Sequence, residues 1–271
     1  MKIVSEEEYK KPRIPLYIKG LDEQMEGGIP EGHVVLVCGT AGSMKSTVSF
    51  NILYNEALKC QTSIYMSFEQ PYRNFLQHIT NLGYDIKKIN FMAIEDISTL
   101  DKDIGAAKSD KTKGTVFFID ISAVRKALKK SKSDGGDWVT VIENIAKKVQ
   151  STIGLKLMVL DSLSALYIHA DFKEPRKTIF FIFETFRDMG ITSLMISEMK
   201  LDKMKYSEYE VEDFLADGII ALYLTERHRK VSREISIVKM RGTSCNNDVF
   251  TLDYKKGKFQ ALYGGQIPLV E

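Results

Sequence analysis

The sequence predicts an α/β fold: a mostly parallel central sheet flanked by helices, then antiparallel strands toward the C-terminal end. Three observations predict it. Short apolar runs alternate with helical segments from Val34 to Ser197, the pattern of a parallel sheet with right-handed crossovers. The apolar run Val34–Cys38 passes through a loop of small residues into Lys45-Ser46-Thr47 and a stretch to Cys60 without Gly or Pro. Beyond Gly218 the segments are β-rich and follow one another without a helix between them.

Taken in order, the polar start, Met1 to Lys11, leads to Gly27-Gly28-Ile29-Pro30-Glu31-Gly32, a turn-rich entry to the first strand. Five consecutive apolar residues, Val34 to Cys38, read as a strand buried on both faces. Ser63–Phe68 is a second strand; Pro71 suits the first turn of a helix reaching about Leu82. Asn90–Ile94 and Thr115–Ile119 are strands. Ser98–Gly114 between them is polar and lysine-rich, has no clear period, and reads as a surface insertion. Ala123–Lys130 is a basic helical piece, followed by a loop to Asp137. The charge run Lys126 to Lys132 is either a solvated face or a partner surface. Val139–Thr152 has helical apolar spacing, Leu155–Asp161 is a strand ending in an acid, and Glu174–Met189 is a helix stopped by Gly190. Within it, Ile179 to Phe183 reads as a buried helix face, being too short to span a bilayer. Ile191–Ser197 is a strand, and Glu198–Phe214 is polar. Gly218–Leu224, Arg233–Met240, Val249–Tyr254 and Lys258–Leu262 are the closing strands.

The 271 residues suit one large α/β domain. With 38 Lys and Arg against 36 Asp and Glu, the net charge is +2, so no strong field points to nucleic acid or a membrane surface. Cys38, Cys60 and Cys245 are widely spaced, form no paired metal motif, and fit reduced thiols in the cytoplasm. The N-terminus is charged and lacks an apolar signal region.

The chemistry starts at Gly39. Strand, loop and helix in succession are the context of a phosphate-binding loop, in which main-chain N–H groups and a helix N-terminus surround a polyphosphate. Gly39, Lys45 and Ser46 match G-x-x-x-x-G-K-[ST] in spacing, with Met44 in place of the second glycine. Gly39, Thr40, Ala41, Gly42, Ser43, Met44, Lys45, Ser46 and Thr47 are therefore the candidate ATP-binding residues. Lys45 would reach the terminal phosphates and Ser46 would ligate Mg²⁺. Asp161 closes an apolar strand at the ligand edge of the sheet, where it either supports the metal or caps the following helix. Glu69 closes another strand and is either the group that activates a water or a surface residue. Gln70 beside it can orient only by hydrogen bonds. Lys239 and Arg241, at alternate positions of a strand, share one face and either clamp phosphate oxygens or lie on a solvated edge.

Several segments together resemble the KaiC family of RecA-type ATPases. They are Gly20-Leu21-Asp22, Gly27–Gly32, Ser67-Phe68-Glu69-Gln70, Leu160-Asp161-Ser162-Leu163-Ser164-Ala165-Leu166, Ser197-Glu198, Ala216-Asp217-Gly218-Ile219-Ile220 and Lys239-Met240-Arg241-Gly242-Thr243-Ser244. The resemblance runs from about Ile14 to Leu262. It divides the chain into an N-terminal extension (1–13), a RecA-like P-loop domain (14–262) and a tail (263–271). It implies an ATPase with Glu69 as catalytic group and with Lys45, Lys239 and Arg241 on the phosphates, the last two in a neighbouring subunit. It therefore implies a homo-oligomeric ring, commonly a hexamer, reporting nucleotide state to a protein partner. Met44 for the loop glycine, Gln70 for a second glutamate and Cys245 for a frequent histidine depart from the family pattern. Autophosphorylation is not implied, because Asp213-Phe214 stand where the clock members carry adjacent Ser and Thr. Two other readings remain open. One is a low-turnover ATP-binding scaffold similar to the archaellum-associated relatives. The other is a DNA-handling recombinase paralogue of the RecA/RadA type, disfavoured by the near-neutral charge.

Overall fold

A computed structural model describes residues 11–263 except 131–137, 171, 173, 200–205, 207–211 and 228–229. Most of the N-terminal extension, the loop after Lys130, most of the polar stretch after Glu198 and the C-terminal tail lie outside the described residues. The strands are β1 (Arg13–Ile14), β2 (Ile18–Lys19), β3 (Ile29–Pro30), β4 (Val34–Gly39), β5 (Thr62–Ser67), β6 (Asn90–Ile94), β7 (Thr115–Asp120), β8 (Leu157–Asp161), β9 (Thr192–Glu198), β10 (Gly218–Arg227), β11 (Lys230–Met240), β12 (Phe250–Lys255) and β13 (Lys258–Leu262). The α-helices are α1 (Lys45–Leu58), α2 (Tyr72–Asn81), α3 (Leu100–Ser109), α4 (Ile121–Lys130), α5 (Trp138–Ile153), α6 (Leu163–Ala170), α7 (Pro175–Asp188) and α8 (Glu212–Leu215).

All strands but β1 and β3 form one sheet in the order β2-β13-β12-β11-β10-β4-β9-β8-β5-β7-β6. From β4 to β6 every pairing is parallel. β10 joins β4 in parallel and turns back on β11, after which β12 and β13 follow antiparallel. The expected parallel sheet with a closing antiparallel region is what forms. Alternation along the strands feeds two cores, as the two-residue period requires. In β4, Val35 and Val37 enter the core beneath α1 and α2, while Val34, Leu36 and Cys38 enter the core beneath α3 to α7.

Three expectations need correction. Segment 98–114 is more than the expected surface insertion: it carries a 3-10 turn (Ile97–Thr99) and α3. Leu100, Ile104 and Ala107 are buried at helical spacing against the second core. Three apolar residues among lysines, with Gly105 inside, gave too weak a period to read. Helix α6, which the sequence offers only as the segment Asp161 could cap, is now bounded as Leu163–Ala170, because an apolar run straight after a strand carries no periodic contrast to fix its extent. Finally, the Ile179–Phe183 stretch is buried only in part: Ile179, Ile182 and Phe183 face the core, whereas Phe180 and Phe181 are 45% and 52% exposed.

Candidate functional site

Parallel strands bring their carboxyl ends to one edge, and the loops leaving that edge gather the site. Gly39 ends β4 against β10 and β9. A Cβ there would lie 2.5 Å from the Leu222 carbonyl oxygen and 2.6 Å from Ser43 Oγ, so only glycine fits. The loop then takes left-handed backbone at Gly42 (φ 79°) and Met44 (φ 74°). Met44 thus adopts a conformation natural to the glycine it replaces, at a cost of roughly 1–2 kcal/mol for a residue with a Cβ. Its side chain packs on the first core. α1 starts at Lys45, so free N–H groups of its first turn face the loop.

Lys45 is 7% exposed. Its Nζ donates to the carbonyls of Gly39 (3.0 Å) and Thr40 (3.1 Å) and pairs with Glu198 (2.8 Å). Glu198 stands beside Gly39 in the sheet register. Asp161 is buried at the end of β8 and accepts hydrogen bonds from Tyr65 and Ser46. Burial is the main reason its carboxyl rises to about 6, and Glu69 adds to the rise; Tyr65, Ser46 and Lys45 oppose it. Asp161 is not the cap of α6. Ser162 Oγ accepts the Ala165 N–H (3.2 Å) and donates to the Glu69 carboxylate. Thr47 Oγ1 lies 3.3 Å from His78 Nε2.

These groups line one cavity of about 470 Å³ bounded by Ala41 to Thr47 (Ser43 apart), Glu69, Gln70, His78, Leu82, Asp161, Glu198 and Arg233. The fit to Mg·ATP can be tested on the loop itself. Thr40 Oγ1 and Ser43 Oγ are buried in it without a hydrogen-bond partner among the described residues. Gly39 leaves no room for a Cβ, and Ser46 with Asp161 offers hard oxygen donors. No cluster of three or more His, Cys, Asp or Glu suited to a metal exists among the described residues. The residues fit.

Lys239 and Arg241 do not join this cavity. Lys239 is level with Leu36, and Arg241 is level with Val34 at the start of β4, two strands away and about 17 Å from Gly39 measured along the strands at 3.3 Å per residue. Lys239 Nζ donates to the carbonyls of Asp213 (3.1 Å) and Ala216 (2.7 Å). Arg241 pairs with Asp217 (2.9 Å) and donates to the Phe214 carbonyl (3.2 Å). Burial alone would raise the Asp217 carboxyl. The Val34 N–H and the guanidinium groups of Arg187 and Arg241 outweigh it and hold the carboxyl below the usual range. The turn after β11 is fastened by Arg13, which donates to the carbonyls of Gly28 (3.0 Å) and Gly242 (3.3 Å) and to Thr243 Oγ1 (2.8 Å). A second cavity, about 630 Å³, opens here between Arg13, Glu26, His33, Asp217 and Arg241.

A family model of the KaiC ATPase matches residues 14–112 and 90–258. The chain belongs to the KaiC family. Among its KaiC relatives, the circadian clock protein KaiC3 of Synechocystis is 26% identical over 245 residues, which are 89% of this chain but 42% of that protein. The chain therefore spans less than half the length of that clock relative. UPF0273 proteins of Pyrococcus furiosus and Methanocaldococcus jannaschii are 28% and 29% identical. The alignments cover 86% of this chain in both cases, and 86% and 88% of those proteins. A solved KaiC-like protein of Pyrococcus horikoshii shares the fold, with a TM-score of 0.69 at 22% identity, covering 93% of this chain and 99% of its own. The RecA-type core expected from the sequence is thus the fold of this KaiC-family chain.

Arg233, His78 and Tyr65 are site residues that sequence reasoning missed. Arg233 lies in β11, the strand that leads to Lys239 and Arg241, yet only the β10–β11 register brings it to the loop edge, pairing it with Leu224. Leu222, two residues before Leu224, is paired with Gly39. No local pattern marks that register. No described helix is long and apolar enough to cross a membrane.

Proposed function

We propose that this chain is a Mg²⁺-dependent ATPase of the cytoplasm, acting as one protomer of a homo-oligomeric ring, hexameric by analogy with the clock relatives. One observation carries the reading: Lys45, Ser46, Asp161 and Glu69, from three separate strand ends, meet in one cavity at the mouth of a glycine-anchored loop. The loop N–H groups and Lys45 bind the phosphates, and Ser46 with Asp161 supports the metal. Bound Mg·ATP supplies the phosphoanhydride to be broken and the cation that neutralises its charge. Glu69 orients the attacking water and takes its proton, and Arg233 adds positive charge from the same chain. Lys239 and Arg241 serve a neighbour's site. Their position supports that role, since neither side chain lines the cavity at their own loop.

The ring would report its nucleotide state to a protein partner; the small net charge argues against nucleic acid as that partner. A low-turnover ATP-binding scaffold is the second reading. It is favoured by the Glu198–Lys45 ion pair, which competes with phosphate for the ammonium, and by Gln70 beside Glu69. The variant Glu69→Gln is expected to lose ATP turnover by about 100-fold or more while nucleotide affinity is kept. Phosphate release with titration calorimetry measures both. Wild-type release that is negligible with and without Mg²⁺ would favour the scaffold.

A further inference from the structure

Glu69 is held from behind by α6, and the far end of that helix does part of the holding. Ser162, at its start, donates to the Glu69 carboxylate. His169, at its end, places Nε2 3.2 Å from the carbonyl oxygen of Phe68, the residue before Glu69. Its Nδ1 lies 3.0 Å from Arg125 Nη2 of α4. A carbonyl can only accept and a guanidinium can only donate. Both contacts are met together only by a neutral imidazole carrying its hydrogen on Nε2. Arg125 thereby selects the tautomer that donates to Phe68. The Phe68 N–H donates in turn to the Asp161 carbonyl (2.6 Å), so the main chain entering Glu69 is gripped on both sides. Trp138 of α5 completes the bracket: its ring stacks on His169 (6.4 Å between centroids, 23° between planes) and packs on Phe68 (6.1 Å).

We propose that His169 is a positioning residue for Glu69, locked in its donating tautomer by Arg125 and in its ring plane by Trp138. The proposal rests on Glu69 being the group that activates water. It extends the site to α4 and α5, which contribute nothing to the cavity itself. A displacement of a reacting group by about 1 Å is enough to cost up to 100-fold in rate. A carbonyl released by His169 frees the Phe68–Glu69 peptide to move on that scale, without touching the phosphate loop.

The full-length chain with Mg·ATP tests it. His169→Ala is expected to lower kcat about 10-fold with KM for ATP unchanged. His169→Gln, which keeps an N–H donor, is expected to recover part of the loss. Arg125 is exposed, so Arg125→Ala leaves the fold intact and is expected to lower kcat about 3-fold at constant KM. If His169→Ala does not fold, the Arg125 variant decides, because unchanged kcat there overturns the proposal. So does wild-type kcat in His169→Ala, or a rise in KM that accounts for the whole loss of kcat/KM. Glu69→Gln serves as the reference. Should it keep wild-type turnover, the role given to Glu69 fails first and this inference with it. Should it be inactive while both other variants are normal, only the inference fails.

Discussion

Burial of Asp161 at the end of β8 opposes its charge. Its carboxyl is buried and rises to about 6, and that of half-buried Asp22 also rises to about 6, through desolvation that its acceptance of the Leu16 and Tyr17 N–H groups only partly offsets. A folded-state value above the unfolded one means the native state binds the proton more tightly. The stability that Asp161 and Asp22 contribute is therefore complete below about pH 4 and is lost as pH rises through about 6. Asp217, whose carboxyl is held down, works in the opposite sense and is lost only at stronger acidity. Asp161→Asn keeps an acceptor for Tyr65 and removes the charge. It is expected to raise stability at pH 7.5 by on the order of 3 kcal/mol at most, seen as a higher melting temperature, and to lose the advantage near pH 4. Calorimetric melting across that range, without nucleotide, checks it. Met44 makes a second case. Met44→Gly is expected to leave stability within about 1 kcal/mol, relief of strain offsetting the entropy of glycine. Met44→Ile should cost about 1–3 kcal/mol, since a β-branched side chain resists left-handed backbone. Urea unfolding of the two variants separates them.

At the scale of elements, legibility followed hydrophobic contrast. The strands Val34–Gly39, Asn90–Ile94 and Thr115–Asp120 are apolar runs between polar neighbours, and the residues alone mark them. So does the loop from Gly39 to Thr47, because its spacing is chemical rather than statistical. Helix α3 hid its three buried residues among charges, and α6 hid behind the strand that precedes it. The Arg233 contribution to the loop edge depends on the register of a hairpin, a long-range fact with no local signature. Helix α3 now carries its own expectation. Ile104 is fully buried, so Ile104→Ala should destabilise the protein by about 2–4 kcal/mol, whereas removing exposed Lys108 should change stability by under about 0.5 kcal/mol. An insertion lying loosely on the surface would show no difference between the two.

For the whole molecule, the loop and its acids lie at the carboxyl end of the parallel strands, while Lys239 and Arg241 lie away from that end. The reading in which a neighbour supplies these cations makes a mixing experiment decisive. Glu69→Gln alone and Arg241→Ala alone are each expected to lose most ATP turnover. Mixed under conditions that let subunits exchange, they should regain a fraction of it, because some junctions then pair an intact loop with an intact Arg241. No recovery in a mixture that light scattering shows to be co-assembled would place Arg241 outside the neighbour's site.

The fastening of the turn by Arg13 and the distance of Arg241 from its own loop have a geometric consequence. On the proposed reading, in which Lys239 and Arg241 serve a neighbour, a subunit has a socket on one side and a plug on the other, and it cannot fill itself. On that reading, two copies facing each other across a two-fold axis would fill both sockets only if each plug lay beside its own socket. Copies joined head to tail always leave one socket empty until the last meets the first. Closure is then the one arrangement in which no member goes unserved.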